Sequence, residues 1–477
     1  MSEATVAIIG AGFSGTLLAL HLHRHCPSYT RIVLIERNQR FGCGVAYATD
    51  DAAHLLNVPA GRMSAFPDQP NHFLDWLRSD PVARRYAPPG ANPGSFVSRN
   101  LYGIYLRKML KQARRRRDPL GRLQLVNGAV TAMRHAGDGL RVTIDGGWSL
   151  YADYVVLASG AVAPASPPIE DPSFYATPFY RADPWAREAL AGLDPDAPVL
   201  LLGTGLTSID MTLSLLDRGH RGTIHALSRR GLLPRDHVTS PGLALSPRPE
   251  ALPRTALGLL RWLRERARMA EASGSTWRAA VDALRPASQG IWQSLPKAEQ
   301  RRFLRHARVW WDVHRHRMAP AVAAQIAAAR EDGRFQIHAG RIRSFTINGD
   351  SVTATFLAKG SRAPRTLTVG RVLNCTGAGA DWEQTGDPIV RSLLDSGLAR
   401  PDALGLGLDA GAHDALIGRD GRASYRLFAT GPVIKGRYWE ITAVPEIREH
   451  CEHLARHLAF RIAEAADPLD PPIHAMR

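Results

Sequence analysis

Cysteine is scarce in this 477-residue sequence, which contains only four: Cys26, Cys43, Cys375 and Cys451. None belongs to a C-x-x-C pair, so neither a structural zinc motif nor a dithiol redox motif is indicated. So few cysteines in so long a chain also exclude a disulfide framework. His314 and His316 stand two residues apart, a spacing that places them on different faces of a helix. We therefore predict no metal site.

Long apolar runs are missing as well. No stretch of about 18 or more consecutive apolar residues occurs, which excludes a membrane-spanning helix of the usual length. The first residues enter an apolar strand directly, without a basic segment before an apolar one, so no secretory signal is expected. We therefore expect a cytoplasmic protein without a membrane partner.

Acidic residues are outnumbered, with 44 Asp and Glu against 60 Lys and Arg, a net charge of +16. Such a balance suits nucleic acid or anionic small molecules. The one dense basic run, residues 114–117, follows an amphipathic stretch and is expected to be the solvated end of a helix. Because no nucleic-acid-binding signature is present, anionic cofactors and substrates are favoured as partners over nucleic acid.

An apolar run of strand length, residues 5–9, is followed at once by a turn of the form G-x-G-x-x-G that contains Gly10, Gly12, Ser14 and Gly15. A helical pattern and a second apolar run come next, and this run ends at Glu36, 21 residues after Gly15. The glycines allow close approach to a pyrophosphate, and the helix N-terminus offers amide donors. Because an acid at this point accepts hydrogen bonds from ribose hydroxyls, the order predicts a Rossmann-like dinucleotide site for an unphosphorylated ribose.

The same pattern returns from residue 198, with Gly203 and Gly205 in the turn, Thr207 after them, and Ser208 in place of the third glycine. A small residue there still lets helix and strand pack closely. The second strand of this repeat ends without an acid, in Ser228, Arg229 and Arg230. Arginine pairs with a 2′-phosphate, whereas a carboxylate repels one, so this unit is predicted to bind NADPH rather than NADH.

Three further apolar runs end in glycine turns at Gly160, Gly377 and Gly431. Between residues 233 and 332 the sequence has helical periodicity and holds five of the ten tryptophans. This layout resembles the two-dinucleotide-binding-domain flavoproteins, which bind FAD at the first motif. It predicts an α/β fold with two Rossmann-like domains, the second inserted in the first. The FAD-binding domain would be residues 1–165 and 370–477, the NAD(P)H-binding domain 196–232 and 333–369, and a helical, aromatic-rich insert near the substrate 233–332.

Segments outside the glycine turns resemble, more narrowly, a bacterial family of FAD/NAD(P)-binding proteins. They are GCGVAY at 42–47, HLLNVPA at 54–60 with the following Met63 and Ser64, the stretch 99–105, and WEITAVPEIR at 439–448. Some members of that family are similar to amine- and amino-acid-N-oxygenating flavoproteins, including aspartate oxidisers that form nitrosuccinate. The resemblance implies FAD and NADPH as cofactors, with molecular oxygen and an amine or amino acid as substrates.

What the resemblance implies for activity is a monooxygenase that N-oxygenates its substrate through a flavin C4a-hydroperoxide. Asn57 is the candidate catalytic residue, expected at the isoalloxazine as an amide donor with Met63 and Ser64 beside it. The helix after Ala443 would point its N-terminus at the flavin, and Arg99 would pair with the pyrophosphate. The other candidate cofactor-binding residues are Gly10, Gly12, Ser14, Gly15, Glu36, Arg37, Tyr47, Gly160, Gly203, Gly205, Thr207, Ser208, Ser228, Arg229, Arg230, Gly377, Gly431, Glu440 and Val444.

Two other classes of function stay open from the sequence. One is an NAD(P)H-dependent flavin reductase or dehydrogenase without oxygen insertion, and the other is a non-catalytic, nucleotide-binding redox sensor. A disulfide reductase is disfavoured because Cys43 has no nearby cysteine partner, and ketone oxygenation because its usual F-x-G-x-x-x-H-x-x-x-W pattern is missing. For Arg308, Arg315 and Arg317 in the insert we favour plain surface charge over carboxylate binding.

Overall fold

The chain folds into two units, described here by a computed structural model that covers residues 3–116, 121–239, 241–243, 247–379 and 382–466. The first unit contains Met1–Ala48, Pro59–Val162 and Asp381–Arg477, and the second contains Thr49–Val58 and Ala163–Ala380. Three stretches expected in the first domain therefore belong to the second unit. They are residues 163–165, residues 370–380, whose strand pairs inside the second sheet, and residues 49–58, which contact the second unit's first helix.

Up to residue 162, the described residues of the first unit form seven strands and five α-helices. In chain order they are β1 Ala4–Ile9, α1 Phe13–His25, β2 Thr30–Glu36, α2 Gly44–Tyr47, α3 His72–Ser79, α4 Pro81–Tyr86, α5 Arg99–Arg116, β3 Leu123–Asn127, β4 Val130–Ala136, β5 Gly139–Ile144, β6 Ser149–Ala152 and β7 Tyr154–Leu157. The predicted strand, glycine turn, helix, strand order is thus present from β1 to β2.

The described part of the second unit contains seven strands and seven helices. They are β8 Tyr180–Arg181, β9 Val199–Leu202, α6 Leu206–Asp217, β10 Ile224–Ser228, α7 Ala256–Ala272, α8 Trp277–Leu284, α9 Ser288–Ser294, α10 Lys297–His306, α11 Arg308–Arg315, α12 Pro320–Glu331, β11 Phe335–Asn348, β12 Ser351–Ala358, β13 Pro364–Val369 and β14 Arg371–Asn374. Helices α7 to α12 correspond to the helical periodicity seen in the sequence.

The chain then returns to the first unit with α13 Pro388–Ser396, β15 Ala415–Ile417, β16 Ala423–Ala429 and α14 Val444–Ala466. The main sheet of this unit has the strand order β15-β16-β7-β1-β2-β3, and a separate three-stranded sheet has the order β4-β5-β6. Strands from β16 to β3 are parallel, while β15 is antiparallel. Since β1 has β2 on one side and β7 on the other, the order reverses beside β1, where ligands bind in such sheets.

The sheet of the second unit has seven strands in the order β13-β12-β11-β10-β9-β14-β8. Strands β11, β10, β9, β14 and β8 are parallel, whereas β12 and β13 extend the sheet in antiparallel pairing. The four residues of β9 and the four of β14 are all buried, as their continuous apolar character predicts. Here too the order reverses beside the first strand, because β9 lies between β10 and β14.

No helix in the described parts of the chain joins the length and the apolar character needed to traverse a lipid bilayer.

The core of the second unit provides a test of its packing. Phe356 on β12 is 1% exposed and lies in a buried cluster with Leu200 and Val372. We expect Phe356→Ala to lower the free energy of unfolding by about 3–5 kcal/mol, because it removes a buried ring and leaves a cavity. Urea unfolding followed by circular dichroism measures the loss. Ile347→Ala, on β11 and 44% exposed, is the control; an equal loss in both variants would contradict the assigned core.

Candidate functional site

The two glycine turns share an unusual backbone conformation at their first glycine. The angle φ is +102° at Gly10 and +125° at Gly203, a region that side chains rarely adopt. A Cβ on Gly10 would lie 2.5 Å from the carbonyl oxygen of Ala158, and one on Gly203 would overlap that of Cys375. Each turn therefore runs directly against the end of the neighbouring strand, β7 or β14, and only glycine fits there.

Both helices that follow these turns begin at a glycine. Gly12 is the N-cap of α1 and Gly205 that of α6, and among the described residues no side chain caps either helix. The first amide groups are thus available to an anion, which the helix dipole also favours. A Cβ on Gly205 would meet nothing within 4 Å, and one on Gly12 only the backbone of Gly44 at 3.5 Å. The residues present therefore fit a dinucleotide pyrophosphate in each unit.

The third position of the motif differs between the two units. A Cβ on Gly15 would overlap the carbonyl oxygen of Gly10, so this position needs glycine. At the equivalent point of α6, Ser208 follows the half-buried Thr207 and is itself fully buried. In the first unit Ser14, the residue before Gly15, is buried. A Cβ on Gly431 would collide with the Ser14 hydroxyl.

Glu36 stands at the end of β2, beside the first turn. One carboxylate oxygen accepts a 2.8 Å hydrogen bond from the amide of Ala11, and the other accepts one of 3.0 Å from the amide of Asn38. The acid thus lies at the edge of the glycine turn, where a ribose next to the pyrophosphate would be reached. The following residue, Arg37, pairs with Asp387 at 3.0 Å, and Asp387 caps α13.

The equivalent position of the second unit carries positive charge instead. Arg229 is exposed directly after β10, and the guanidinium of Arg230 lies 5.8 Å from the ring centre of Trp310. The Ser228 hydroxyl before them lies 2.8 Å from that of Thr204 in the glycine turn, and it accepts a hydrogen bond from the Gly231 amide. Ser228 therefore ties the turn to the basic pair. An anionic 2′-phosphate would be attracted here and repelled at Glu36.

Four other predicted flavin-site residues lie in the first unit. The Tyr47 ring contacts the ring of Tyr102, with centroids 4.8 Å apart, and Arg99 begins α5 half-buried. Met63 and Ser64 are buried at 1% and 0% exposure. The Ser64 hydroxyl is engaged within its own loop, because it donates to the carbonyl of Gln69 at 2.6 Å. Its carbonyl oxygen accepts a hydrogen bond from Arg448 at 3.2 Å, and a contact of Ser64 with a cofactor stays a prediction.

Gly160 and Gly377 each lie three residues after the end of a strand, β7 and β14 respectively. Gly160 and Gly377 have φ of +79° and +85°, and a Cβ on either would meet open space. Glu440 is buried, Ala443 directly precedes α14, and Val444 begins it. Contacts of these residues with a cofactor stay predictions.

Asn57 lies in the segment 49–58 of the second unit, and its carbonyl oxygen is 3.0 Å from Nε2 of His237. Three residues that no local sequence pattern connects hold this segment. The Ser214 hydroxyl on α6 donates to Asp51 at 2.5 Å, and Nε2 of His54 lies 2.8 Å from the hydroxyl oxygen of Ser214. More than 150 residues separate Ser214 from the other two, so no local pattern could have revealed the contact.

This Ser–His–Asp group is not a hydrolase triad. In such a triad the acid orients the histidine through Nδ1, whereas here Nδ1 of His54 lies 2.8 Å from the hydroxyl of Thr49 and the acid bonds to the serine. Ser214 is also buried at 3% exposure. The group fixes the segment that carries Asn57 to α6.

The arginines of the insert are not all surface charge, and that expectation is wrong for two of them. Arg315 and Arg317 are buried, at 6% and 3% exposure. Arg317 forms an ion pair with Asp282 on α8, and burial lowers the pKa of its guanidinium. Arg308 pairs with Asp312 within α11 at 3.4 Å.

Two mainly parallel sheets, each with a glycine-capped helix beside its first strand, give the two Rossmann-like folds that the sequence predicts. Residues 7–162 match the family model described as FAD-NAD(P)-binding. The match confirms the prediction of an FAD/NAD(P)-binding domain around the first motif.

Full-length relatives and solved structures extend the comparison to nearly the whole chain. An uncharacterised protein of Mycobacterium tuberculosis is 24% identical, covering 97% of this chain and 96% of its own. The ornithine N-hydroxylase of Kutzneria sp. 744 superposes with a TM-score of 0.65 at 14% identity, covering 97% of this chain and 100% of its own. L-lysine 6-monooxygenase from Pseudomonas syringae gives 0.64 at 17%, covering 98% and 100%. At such identities the likeness shows the fold, and it confirms the predicted α/β architecture.

The first turn yields a test that separates cofactor binding from folding. We expect Gly12→Ala to weaken FAD retention by about tenfold or more, since a methyl would stand where the pyrophosphate approaches, an overpacking of about 1–3 kcal/mol. The absorbance ratio at 450 and 280 nm of the purified variant measures the loss. Gly386→Ala, whose Cβ meets nothing within 4 Å, is the control in the same unit. Full FAD occupancy in Gly12→Ala would contradict the assignment.

The basic pair of the second unit yields a cofactor-preference test. Replacing both Arg229 and Arg230 by Ala is expected to raise KM for NADPH about 10- to 100-fold, because charge-assisted hydrogen bonds to the 2′-phosphate are lost. KM for NADH should change little. Arg218→Ala removes an exposed charge at the end of α6 and serves as the control. Equal increases for both nucleotides would defeat the 2′-phosphate interpretation.

Proposed function

We propose that this protein is an FAD-dependent, NADPH-consuming monooxygenase that N-oxygenates an amine or amino acid. Each unit contains a glycine turn followed by a helix with a glycine N-cap, which we call the glycine cradle. The observation that carries the proposal is that this cradle occurs in both units with opposite charge beside it. Glu36 suits the unphosphorylated ribose of FAD, and Arg229 with Arg230 suits the 2′-phosphate of NADPH. Such a pair of sites is what a transfer of reducing equivalents from nicotinamide to flavin requires.

The residues of the chain would bind and orient, while FAD, when bound, supplies the redox and oxygen chemistry. The amides at the N-terminus of α1 would hold the flavin nucleotide's pyrophosphate, and those of α6 would hold that of NADPH. Asn57 would donate its side-chain amide to the flavin ring. The Asp51–Ser214–His54 group holds the segment that carries Asn57 in one place on α6.

The cysteines favour this proposal over a disulfide reductase. All four are buried, none is in a disulfide, and none has the C-x-x-C spacing of the redox-active pair that such enzymes use. Burial raises the pKa of the Cys26 and Cys451 thiols to about 12 and raises that of Cys375 as well. Thiols of this kind stay protonated at neutral pH and are poor nucleophiles.

The comparisons support the choice of substrate class. The Kutzneria sp. 744 protein is an ornithine N-hydroxylase and the Pseudomonas syringae protein is an L-lysine 6-monooxygenase, so this fold carries N-oxygenation of amino acids.

The proposal is tested on purified protein supplied with FAD, NADPH and oxygen. Ornithine, lysine, aspartate and simple amines are screened one at a time, with NADPH oxidation, hydrogen peroxide and product mass measured together. We expect one substrate to give a product one oxygen heavier, labelled from ¹⁸O₂, in proportion to NADPH consumed. Asn57→Ala should lower that rate about tenfold or more, whereas Asn348→Ala, exposed at the end of β11, should not.

Two outcomes would replace the proposal by the alternatives. Stoichiometric peroxide without oxygenated product for every substrate would indicate a flavin reductase or dehydrogenase. A colourless protein, or one in which NADPH does not bleach the bound flavin, would indicate a nucleotide-binding sensor without catalysis.

A further inference from the structure

Three ligand-type side chains meet in the first unit, between α1 and α14. His21 and His25 project from α1, and Glu452 projects from α14. Nδ1 of His21 lies 2.5 Å from Oε2 of Glu452, and Nε2 of His25 lies 3.0 Å from Oε1. One ligand atom from each residue falls within 4.8 Å of the others.

The geometry of α1 creates half of this cluster. Residues four apart stand on the same face of a helix, one turn above the other. The two imidazole rings are accordingly almost parallel, with planes 5° apart and centroids separated by 6.3 Å. Glu452 closes the group from the facing helix, more than 400 residues later in the chain. The prediction of no metal site weighed only cysteine pairs and the His314–His316 spacing, and so did not reach this set.

The cluster is shielded from water and its polar atoms are poorly satisfied. The side chains of His21, Glu452 and His25 are 0%, 10% and 20% exposed. Although they lie within contact distance, Nδ1 and Nε2 of His21, Nε2 of His25 and Oε2 of Glu452 make no aligned hydrogen bond within the part of the chain that the structure describes. Buried polar atoms are normally hydrogen-bonded, so several such atoms in one cluster indicate that a partner of another kind belongs there.

We propose that His21, His25 and Glu452 bind a divalent transition-metal ion, with Zn²⁺ as the best match. Two imidazole nitrogens and one carboxylate oxygen are a donor set that zinc takes in proteins, with a fourth position left for water. Zinc holds such ligands at about 2.0–2.2 Å in a tetrahedral arrangement. Because ligand atoms in that arrangement stand farther apart than 2.5 Å, binding would open the contact between His21 and Glu452 slightly.

The surroundings prepare these side chains as ligands. Burial lowers the pKa of His21 to about 4, so its ring is neutral at physiological pH, as metal binding requires. Nε of Arg456 donates to Oε1 of Glu452 at 2.7 Å, which holds the carboxylate and leaves Oε2 to the ion. The nearby cation of Arg24 is paired with Asp68 at 2.6 Å.

The position of the cluster indicates a structural clamp rather than a catalytic centre. His21 follows the N-cap glycine of α1 by nine residues, which is about 13 Å along the helix axis. The ion would join the later half of α1 to α14 and take no part in chemistry at the glycine cradle. The inference therefore does not depend on the proposed function.

The test is a titration of the full-length protein with ZnSO₄ after removal of metals by a chelator. We expect one equivalent to bind, by isothermal titration calorimetry, and Tm to rise by about 5 °C or more at saturation. Co²⁺ in place of Zn²⁺ should give the visible absorption bands of a tetrahedral site. His25→Gln and Glu452→Gln should each weaken binding about 100-fold or more and abolish those bands.

His453→Gln is the matched control, since His453 is the next residue of α14 and is exposed. It should bind zinc as the unchanged protein does. Far-ultraviolet circular dichroism of every variant verifies that the loss of binding is not a loss of folding. The proposal is overturned if no stoichiometric binding occurs, or if His25→Gln and Glu452→Gln bind zinc as tightly as His453→Gln. The cluster would then be a contact between two helices and no more.

Discussion

The close approach of a glycine turn to the end of a neighbouring strand is the constraint on which both units depend. Gly10 meets the carbonyl of Ala158, and Gly203 meets that of Cys375, at separations that leave no room for a side chain. This contact brings the helix N-terminus to the edge where the strand order reverses. Because glycine also caps both helices, backbone amides rather than side chains face the space beyond. The anion-binding character of each site is thus a result of backbone packing.

In the proposed function the two glycine cradles share one shape, and the residues after the second strand of each unit would decide which dinucleotide it prefers. At the end of β2 the carboxylate of Glu36 is held by two backbone amides. At the end of β10 the basic pair follows Ser228, whose hydroxyl contacts the glycine turn. The proposed difference between the two sites is electrostatic and would act on one group, the 2′-phosphate of NADPH. One repeated fold can in this way hold two different dinucleotides in one chain, which neither cradle would achieve alone.

Local patterns in the sequence predicted most of the fold, whereas they did not predict contacts between distant segments. The apolar run predicted at residues 5–9 lies within β1, and the second apolar run ends at Glu36, which is the last residue of β2. These elements follow from apolar runs and glycine turns within a few residues. The sheet to which β14 belongs does not, because β14 pairs with β9, whose residues lie 172 positions earlier in the chain. For the same reason no local sequence pattern indicated the Asp51–Ser214–His54 group, which holds the segment of Asn57.

Burial changes the meaning of charged residues that look alike in a sequence. Arg114 and Arg317 both stand among other arginines, yet Arg114 is exposed near the end of α5 whereas Arg317 is 3% exposed and paired with Asp282. A desolvated cation is stabilised only where an anion or a polar partner compensates it. The same reasoning applies to His21 and Glu452, since a carboxylate is retained in an interior only with a proton, a cation or a metal beside it. With the proposed cofactor and metal bound, helix α1 would have an anion at its N-terminus and a cation near its C-terminus, which is the order that the helix dipole favours.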